Sequence, residues 1–310
     1  MQGGNVTRPL VDVVIPTAEW GNRPRGLLSD LAEELSPFRQ DVGEVLVADG
    51  EGVYFARAEV LDQGSTIRVS SSSELNGPAI NRNKALEHAT ADYIVFLDDD
   101  VRLQPGWGER LLRVLSNGRE FDLLGGGIAA RNESNWFSQA AEDFVIRHKR
   151  QPDGWYLAAA HLVARRAALE ELGGFDASFV YGGEDWDLCK RAHLQALSVA
   201  VDDSLKVIHE HPTTWSQLMR KADQYGPAEV GLNVYSEASD VATSVEEQRP
   251  SPELGPTVRT VGRAVRWPIL QYSEFRQMGR SRVRSVRSTA LYVPWMARYL
   301  RGRRATAADR

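Results

Sequence analysis

Short, almost wholly apolar runs alternate along this chain with stretches in which apolar residues recur at helical spacing. Val11-Asp12-Val13-Val14-Ile15-Pro16-Thr17 reads as a buried strand ending at a proline. Glu44-Val45-Leu46-Val47-Ala48-Asp49-Gly50 reads as a second, ending on an acid and a glycine. Between them, Leu27, Leu28, Leu31 and Leu35 share one face of a helix from Pro24 to Leu35. Thr66 to Ser70 predicts a short third strand. Gly77-Pro78 opens a helix to about His88, with the proline suited to its first turn. Tyr93-Ile94-Val95-Phe96-Leu97 then runs straight into Asp98-Asp99-Asp100. Gly106 to Leu115 predicts a helix and Asp122 to Ala130 a strand. This alternation predicts a mostly parallel α/β sheet, whose ligands bind beyond the carboxyl ends of the strands. Thr17, Asp49 and Asp98 to Asp100 all fall at such ends, so one crevice could gather them.

The second half is less regular. Trp155 to Arg165 predicts a strand, Arg166 to Leu172 a short helix, and Gly173-Gly174-Phe175-Asp176 a turn. Gly182-Gly183 precedes an acidic helix start, Glu184-Asp185-Trp186-Asp187. Ser198 to Val201 and Leu205 to Ile208 predict two short strands. Ser236 to Pro256 is rich in Ser, Pro and Glu and lacks periodicity, as a linker does. The expected division is therefore a main domain over 1–235, a linker over 236–256 and a C-terminal, helical extension over 257–310. No internal repeat is present.

Composition adds an asymmetry. The 310 residues are 42% hydrophobic and 25% charged, ordinary for a globular protein, with net charge −5. Thr257 to Arg304 holds twelve Arg, no Lys and one acid, Glu274, so that segment carries +11 and the remainder −16. An acidic body with an arginine-rich tail implies that the tail has its own partner. Aromatic and apolar residues interleave with the arginines, and two readings stand: a surface resting on anionic membrane lipid, or helices packed on the protein or on a second subunit of a homo-oligomer. The acidic body argues against nucleic acid. Cys189, the single cysteine, excludes an internal disulfide and fits a reducing compartment. Met1 to Leu10 has no apolar core of a signal peptide, and no uncharged run nears the roughly 20 residues of a membrane span. The expected location is cytoplasmic, peripheral on the inner face of the membrane if the tail binds lipid.

Four constellations carry candidate chemistry. Asp98-Asp99-Asp100 can be a solvated turn or a helix N-terminus, or the oxygen ligands of a hard divalent cation. The preceding apolar strand favours the cation, and the downstream sequence lacks EF-hand spacing. Such metals commonly share coordination with phosphate, which points to a phosphorylated substrate. Gly182-Gly183-Glu184-Asp185 can be a helix cap, or can present Asp185 as a general base whose proton affinity a partly apolar site raises. His209 and His211 come after an apolar strand and can be plain histidines, or one can join the metal. In Ala79-Ile80-Asn81-Arg82-Asn83-Lys84, Arg82 can neutralise phosphate charge.

Together these blocks resemble a family 2 glycosyltransferase of the GT-A fold: α/β, with a Rossmann-like nucleotide-binding sheet, an acceptor-binding half and here the arginine-rich extension. The resemblance covers about Val11 to Tyr225 and rests on Val14-Ile15-Pro16-Thr17, Gly77 to Asn83, Asp92 to Asp100, Gly173-Gly174-Phe175-Asp176 and Gly183-Glu184-Asp185-Trp186-Asp187-Leu188. It implies an inverting transferase that uses a nucleotide-diphosphate sugar, a hydroxyl acceptor (glycan, lipid-linked or small molecule) and Mn²⁺ or Mg²⁺. By resemblance Pro16, Thr17 and Glu19 line the nucleoside pocket, Asp49 contacts the base and Arg82 faces the nucleotide. Asp98 and Asp99 reach the ribose or the metal, and Asp100 contacts the metal directly. Asp185 is the base with Glu184 beside it, and His209 or His211 completes the metal shell. Trp155, His161 and Trp186 are acceptor-side candidates, with burial in the core the equal reading. Two features depart from the family pattern: Asp49-Gly50-Glu51-Gly52 replaces the usual acid pair followed by Gly-Ser, and two histidines compete for one position. The alternatives are nucleotidyl transfer that makes an NDP-sugar, which lacks its Gly-rich, Arg-containing loop here, and an inactive sugar-binding scaffold.

Overall fold

The computed structural model describes residues 11–17, 24–49, 52–57, 67–70, 77–117, 120–144, 148–151, 153–179, 182–228, 268 and 271–308. In chain order the elements are β1 (Val11–Pro16), α1 (Arg25–Leu35), β2 (Val42–Ala48), β3 (Gly52–Arg57), β4 (Ile67–Ser70), α2 (Pro78–Leu86), β5 (Tyr93–Leu97), β6 (Val101–Leu103), α3 (Trp107–Ser116), β7 (Leu123–Ala130), α4 (Trp136–Phe144), β8 (Lys149–Gln151), β9 (Gly154–Tyr156), β10 (His161–Arg165), α5 (Arg166–Leu172), α6 (Glu184–Leu194), β11 (Val199–His209), α7 (Trp215–Ala228), α8 (residues 271–277) and α9 (Arg282–Ala308). They form two compact units: Met1–Arg131 with Ile146–Glu210, and Asn132–Val145 with His211–Arg310. The expected linker, 236–256, lies outside the described residues.

In the first unit a nine-stranded sheet runs β4-β3-β2-β1-β5-β10-β7-β11-β6. Pairs β1–β2, β1–β5 and β7–β11 are parallel; the other five are antiparallel. The sheet is therefore mixed rather than mostly parallel. The reason is local: β2 and β3 are joined by residues 49–51, enough for a hairpin but far too few for a crossover. The parallel trio β2, β1 and β5 still sends Asp49, Thr17 and Asp98 to one edge.

The apolar runs fill the interior. Val11, Val13, Ile15, Val45, Val47, Val95 and Leu97 pack with Leu27, Leu31 and Leu35 of α1 and Trp107 and Leu111 of α3. The three α1 leucines are essentially inaccessible, each contributing about 1.5–3 kcal/mol by burial. Asp12 interrupts β1 without cost to its burial, because its carboxylate accepts from the Glu44, Thr90 and Ala91 amides at 2.6, 2.7 and 2.9 Å.

Three expected strands differ from the structure. Trp155 to Arg165 breaks into β9 and β10, with a turn at 157–160 that later matters to the site. Ser198–Val201 and Leu205–Ile208 join into β11, whose register with β7 shifts between Asp202 and Lys206. In the second unit, α4, α7, α8 and α9 close around Ala140, Ala141, Leu218, Met219, Ala222, Phe275 and Trp295. Among the described residues no helix is long and apolar enough to cross a membrane.

Candidate active site

At the carboxyl edge of β1, β2 and β5 the three aspartates diverge. Asp99 is buried and accepts from the Thr17 hydroxyl at 2.6 Å. Asp98 directs Oδ1 to Arg82 Nη2 at 2.8 Å, and its Oδ2 lies 3.8 Å from His209 Nε2. Asp100 Oδ1 lies 3.2 Å from the same nitrogen. His209 reaches this edge because β11 pairs with β6, opposing His209 to Val101, the residue after the triplet.

Helix α2 supplies the cation. Arg82 is 2% exposed, and besides Asp98 it donates from Nη1 to Glu184 Oε1 at 2.7 Å. Phe175 lies beneath the guanidinium at 5.3 Å. Burial opposes the Arg82 charge, but Asp98, Glu184 and Asp185 together hold its pKa above the usual range. The expected direct reach of Arg82 to phosphate therefore meets a guanidinium already bridging two carboxylates. Its neighbours lock it in place: Asn81 donates to the Thr17 carbonyl at 3.1 Å, and Asn83 exchanges bonds of 2.7 and 2.9 Å with the Phe175 backbone.

Helix α6 starts at the same place. Gly182 and Gly183 have φ of 101° and 95°, a backbone that L side chains resist, and so turn the chain directly into Glu184 and Asp185. Glu184 is buried, and its second oxygen has no hydrogen-bond partner. Asp185 is partly open. It accepts from the Ala159 amide at 3.2 Å and from its neighbour Trp186 at 2.9 Å. Desolvation, then the Glu184 charge, push the Asp185 carboxyl up to about 7, against the pull of Arg82 and the two amides.

Asp98, Asp100 and His209 each offer one ligand atom within 4.8 Å of the others. His209 Nδ1 lies 2.8 Å from the Glu210 carbonyl oxygen, which assigns the proton to that side and leaves the Nε2 lone pair facing two carboxylates. Two hard oxygens and an imidazole facing one point suit a divalent cation such as Mn²⁺ or Mg²⁺. His211 is not in this cluster and belongs to the second unit.

The remaining expected residues are scattered around this centre. Pro16 ends β1 opposite Ala48, and the Asp49 carbonyl accepts from Lys84 at 3.3 Å. Glu19 lies outside the described residues. Trp186 packs on Tyr156 at 5.2 Å with Lys149 over its ring, and Trp155 lies under Arg150. His161 is a core residue, the burial reading of the pair. It is inaccessible, accepts from the Trp107 indole at 3.2 Å and bonds the Gly127 carbonyl at 3.2 Å; burial pushes its pKa down to about 3. A Cβ on Gly126 would sit 2.1 Å from its ring, so the glycine is needed for that fit. Sequence reasoning missed His148. Its Nε2 bonds the Gly126 carbonyl at 2.7 Å and its Nδ1 accepts from Ala158 at 2.9 Å, beside the amide that holds Asp185. The Gly125-Gly126-Gly127 run was the signal, since it makes room for two imidazoles.

Residues 26–173 match the family described as Glycosyl transferase family 2. Over that stretch, just under half of the chain, the protein is similar to the family 2 glycosyltransferases. The chain is similar to the pre-mycofactocin glycosyltransferase of Mycobacterium tuberculosis, 28% identical over 235 residues, which is 72% of this chain and 47% of that protein. It is also similar to glycosyltransferase AglE of Haloferax volcanii, 26% identical over 239 residues, 72% of this chain and 74% of that one. The chain thus spans about half the length of the mycobacterial relative. Its fold is similar to that of the mannosyltransferase PcManGT from Pyrobaculum calidifontis in complex with GDP-Man and Mn²⁺, with TM-score 0.52, 16% identity, and coverage of 94% of this chain and 88% of that one. The fold is GT-A.

Proposed function

We propose that the chain transfers a sugar from a nucleotide-diphosphate donor to an acceptor hydroxyl by a single, inverting displacement. The carrying observation is the juxtaposition through Arg82: Asp98 of the Asp98–Asp100–His209 cluster at one end, and Glu184 next to Asp185 at the other. Asp98, Asp100 and His209 would hold the divalent cation, which supplies positive charge for the diphosphate as it leaves. Arg82 keeps Asp98 and Glu184 in place and lowers the repulsion among the acids. Asp185 takes the acceptor proton; a carboxyl poised near neutrality is ionised often enough to accept and basic enough to hold it. Glu184 beside it supplies part of that basicity. Thr17 fixes Asp99 and hence the turn that presents its two neighbours. Trp155 and Trp186 are offered to the acceptor, whose identity as glycan, lipid-linked or small molecule is open to assay. The buried Cys189 thiol accords with a reducing, cytoplasmic setting.

The test is a panel of NDP-sugars, GDP-mannose among them, assayed with Mn²⁺ and Mg²⁺, with the anomer of the product determined. Transfer with inversion that Asp185→Asn abolishes supports the reading. Retention at the anomeric carbon, or full turnover by Asp185→Asn, sinks it. Synthesis of an NDP-sugar from sugar phosphate and nucleoside triphosphate would assign nucleotidyl transfer instead, and sugar binding without turnover a scaffold.

A further inference from the structure

Five of the six exposed large apolar side chains among the described residues belong to the second unit: Trp136, Trp215, Val283, Val286 and Val293. Three of them lie on α9, which has two distinct faces. Ser285, Ser288 and Trp295 are buried, with Tyr292 and Tyr299 half-buried, on the side that packs with α4 and α7. Val283, Val286, Ala290, Val293 and Ala297 are all exposed, and their steps of three and four residues put them on one stripe. Val283 and Val286 are each 58% open.

The arginines divide along the same line. Arg280 and Arg284 turn inward to Glu142 and Asp143, with contacts of 2.7 Å to each acid. Arg298 pairs with Asp223 at 2.5 Å. Arg282 and Arg301 stand exposed near the stripe, and Arg287 lies 3.7 Å over the Trp136 ring. Across its 27 residues α9 has seven arginines, no lysine and no acid. Trp136 and Trp215 stand at the starts of α4 and α7. These starts are tied together, because Asn135 donates to the Thr213 carbonyl and Ser138 to the Pro212 carbonyl, each at 3.0 Å.

We propose that this face of the second unit docks on an anionic lipid surface. The valines enter the boundary between headgroups and acyl chains, and Arg282, Arg287 and Arg301 contact lipid phosphates. The occupant must be apolar and negative in one plane. A second copy presenting the same stripe would set arginine against arginine. A nucleic acid offers phosphates but no bed for valines. Tryptophan is the residue favoured at the membrane–water boundary, which accounts for the exposure of both rings. The inference is independent of the sugar-transfer reading.

The test is co-sedimentation of the full chain with vesicles of phosphatidylcholine alone and of equal parts phosphatidylcholine and phosphatidylglycerol. The expected result is binding to the mixed vesicles only, weakening as salt rises. Val283→Ser/Val286→Ser/Val293→Ser lowers the partition coefficient about tenfold or more, and Arg282→Gln/Arg301→Gln about tenfold, with melting temperatures unchanged because all five side chains are exposed. Failure of the unaltered chain to sediment with the anionic vesicles overturns the proposal, as does unchanged partition of both variants. A dimer that the valine variant dissociates, without vesicle binding, would assign the face to a second copy. Binding to a DNA duplex but not to the vesicles would assign it to nucleic acid.

Discussion

Around Asp143 in the second unit, two carboxylates meet two guanidiniums and a hydroxyl; around Arg82 in the first, one guanidinium meets two carboxylates directly and three more stand nearby. Asp143 is inaccessible, yet both its oxygens are answered, by Arg284 at 2.7 and 3.0 Å and by Ser288 at 2.6 Å. Arg280 closes the balance through Glu142. Arg82 has no such company: Glu184 keeps one oxygen without a hydrogen bond, and Asp185 is left with a raised proton affinity. Balance makes the first cluster a clamp between helices. Imbalance makes the second a place where a cation and a proton have work to do.

Exchanging one oxygen in the unbalanced cluster sharpens this contrast most. Asp185→Asn is expected to cut turnover about 10²–10⁴-fold, the range of general-base catalysis, without lowering the melting temperature. A loss below tenfold in steady-state kinetics would remove Asp185 from the base role. In the balanced cluster the effect should be on stability instead. Asp143→Ala removes the acceptor of Ser288 and leaves the partly buried Arg284 with Glu142 at 3.1 Å and the Gln139 carbonyl at 3.3 Å, and is expected to cost about 1.5–3 kcal/mol, read from urea denaturation. A cost under about 1 kcal/mol would mean that the clamp is ornamental.

Much of the unbalanced site is legible in the sequence because its residues sit directly after strands whose burial makes them conspicuous. Tyr93–Leu97 is a continuous apolar run and Val11–Pro16 is broken only by Asp12, and the residues at their carboxyl ends form the site edge. The local patterns already offer Asp185 as a base and one of His209 and His211 as a metal ligand, and the resemblance joins them to the triplet without choosing between the histidines. Other parts are hidden for physical reasons. Leu157-Ala158-Ala159-Ala160 is as apolar as the strands beside it, so no change of period betrays the turn that holds Asp185. His161 leaves acceptor contact and core burial equally open in the sequence, because a polar ring gives no sign of the indole donor and the carbonyl that satisfy it in the core. The clamp escapes notice because Arg284 lies 141 residues from Asp143 along the chain, so no local pattern joins the two. Its one marker, Asn135, caps α4 by accepting from Phe137 and Ser138 at 2.9 and 3.1 Å.

The cluster of Asp98, Asp100 and His209 makes the next prediction. Mn²⁺ at a hundredfold excess over its dissociation constant should stabilise the folded chain by about 2.7 kcal/mol, visible as a thermal shift. Asp100→Asn and His209→Gln should each abolish that shift, and chelation should reverse it. His211→Gln should leave it intact. A shift that survives both cluster variants would put the ion elsewhere.

A smaller effect comes from pH. Below about 7 the Asp185 carboxyl is protonated in the folded chain, so turnover should fall tenfold for each further unit of acidity. Stability should move the opposite way. Between its ordinary value of 3.8 and about 7 the folded chain holds a proton that the unfolded chain has released, so this group makes the fold less stable as pH rises through that window. Asp185→Asn should flatten both trends. A turnover profile without an acid limb near 7 would place the titrating base elsewhere.

The smallest expected effect asks whether the unbalanced cluster has support of its own. His148 is neutral, because burial pushes its pKa below the usual range, and neutrality lets Nδ1 accept from Ala158 while Nε2 donates to Gly126. It thereby fixes the turn whose next amide, that of Ala159, donates to Asp185. That bond favours the ionised carboxylate. His148→Ala should let the turn drift, weaken the bond and move the acid limb of the turnover profile to higher pH, with a loss of a few fold in kcat and little change in KM for the donor. His148→Gln can donate to Gly126 and accept from Ala158 with one side chain, so it should restore the limb. A residue that merely filled space would lower the melting temperature in both variants and leave the limb where it was, and that pattern would reduce His148 to packing.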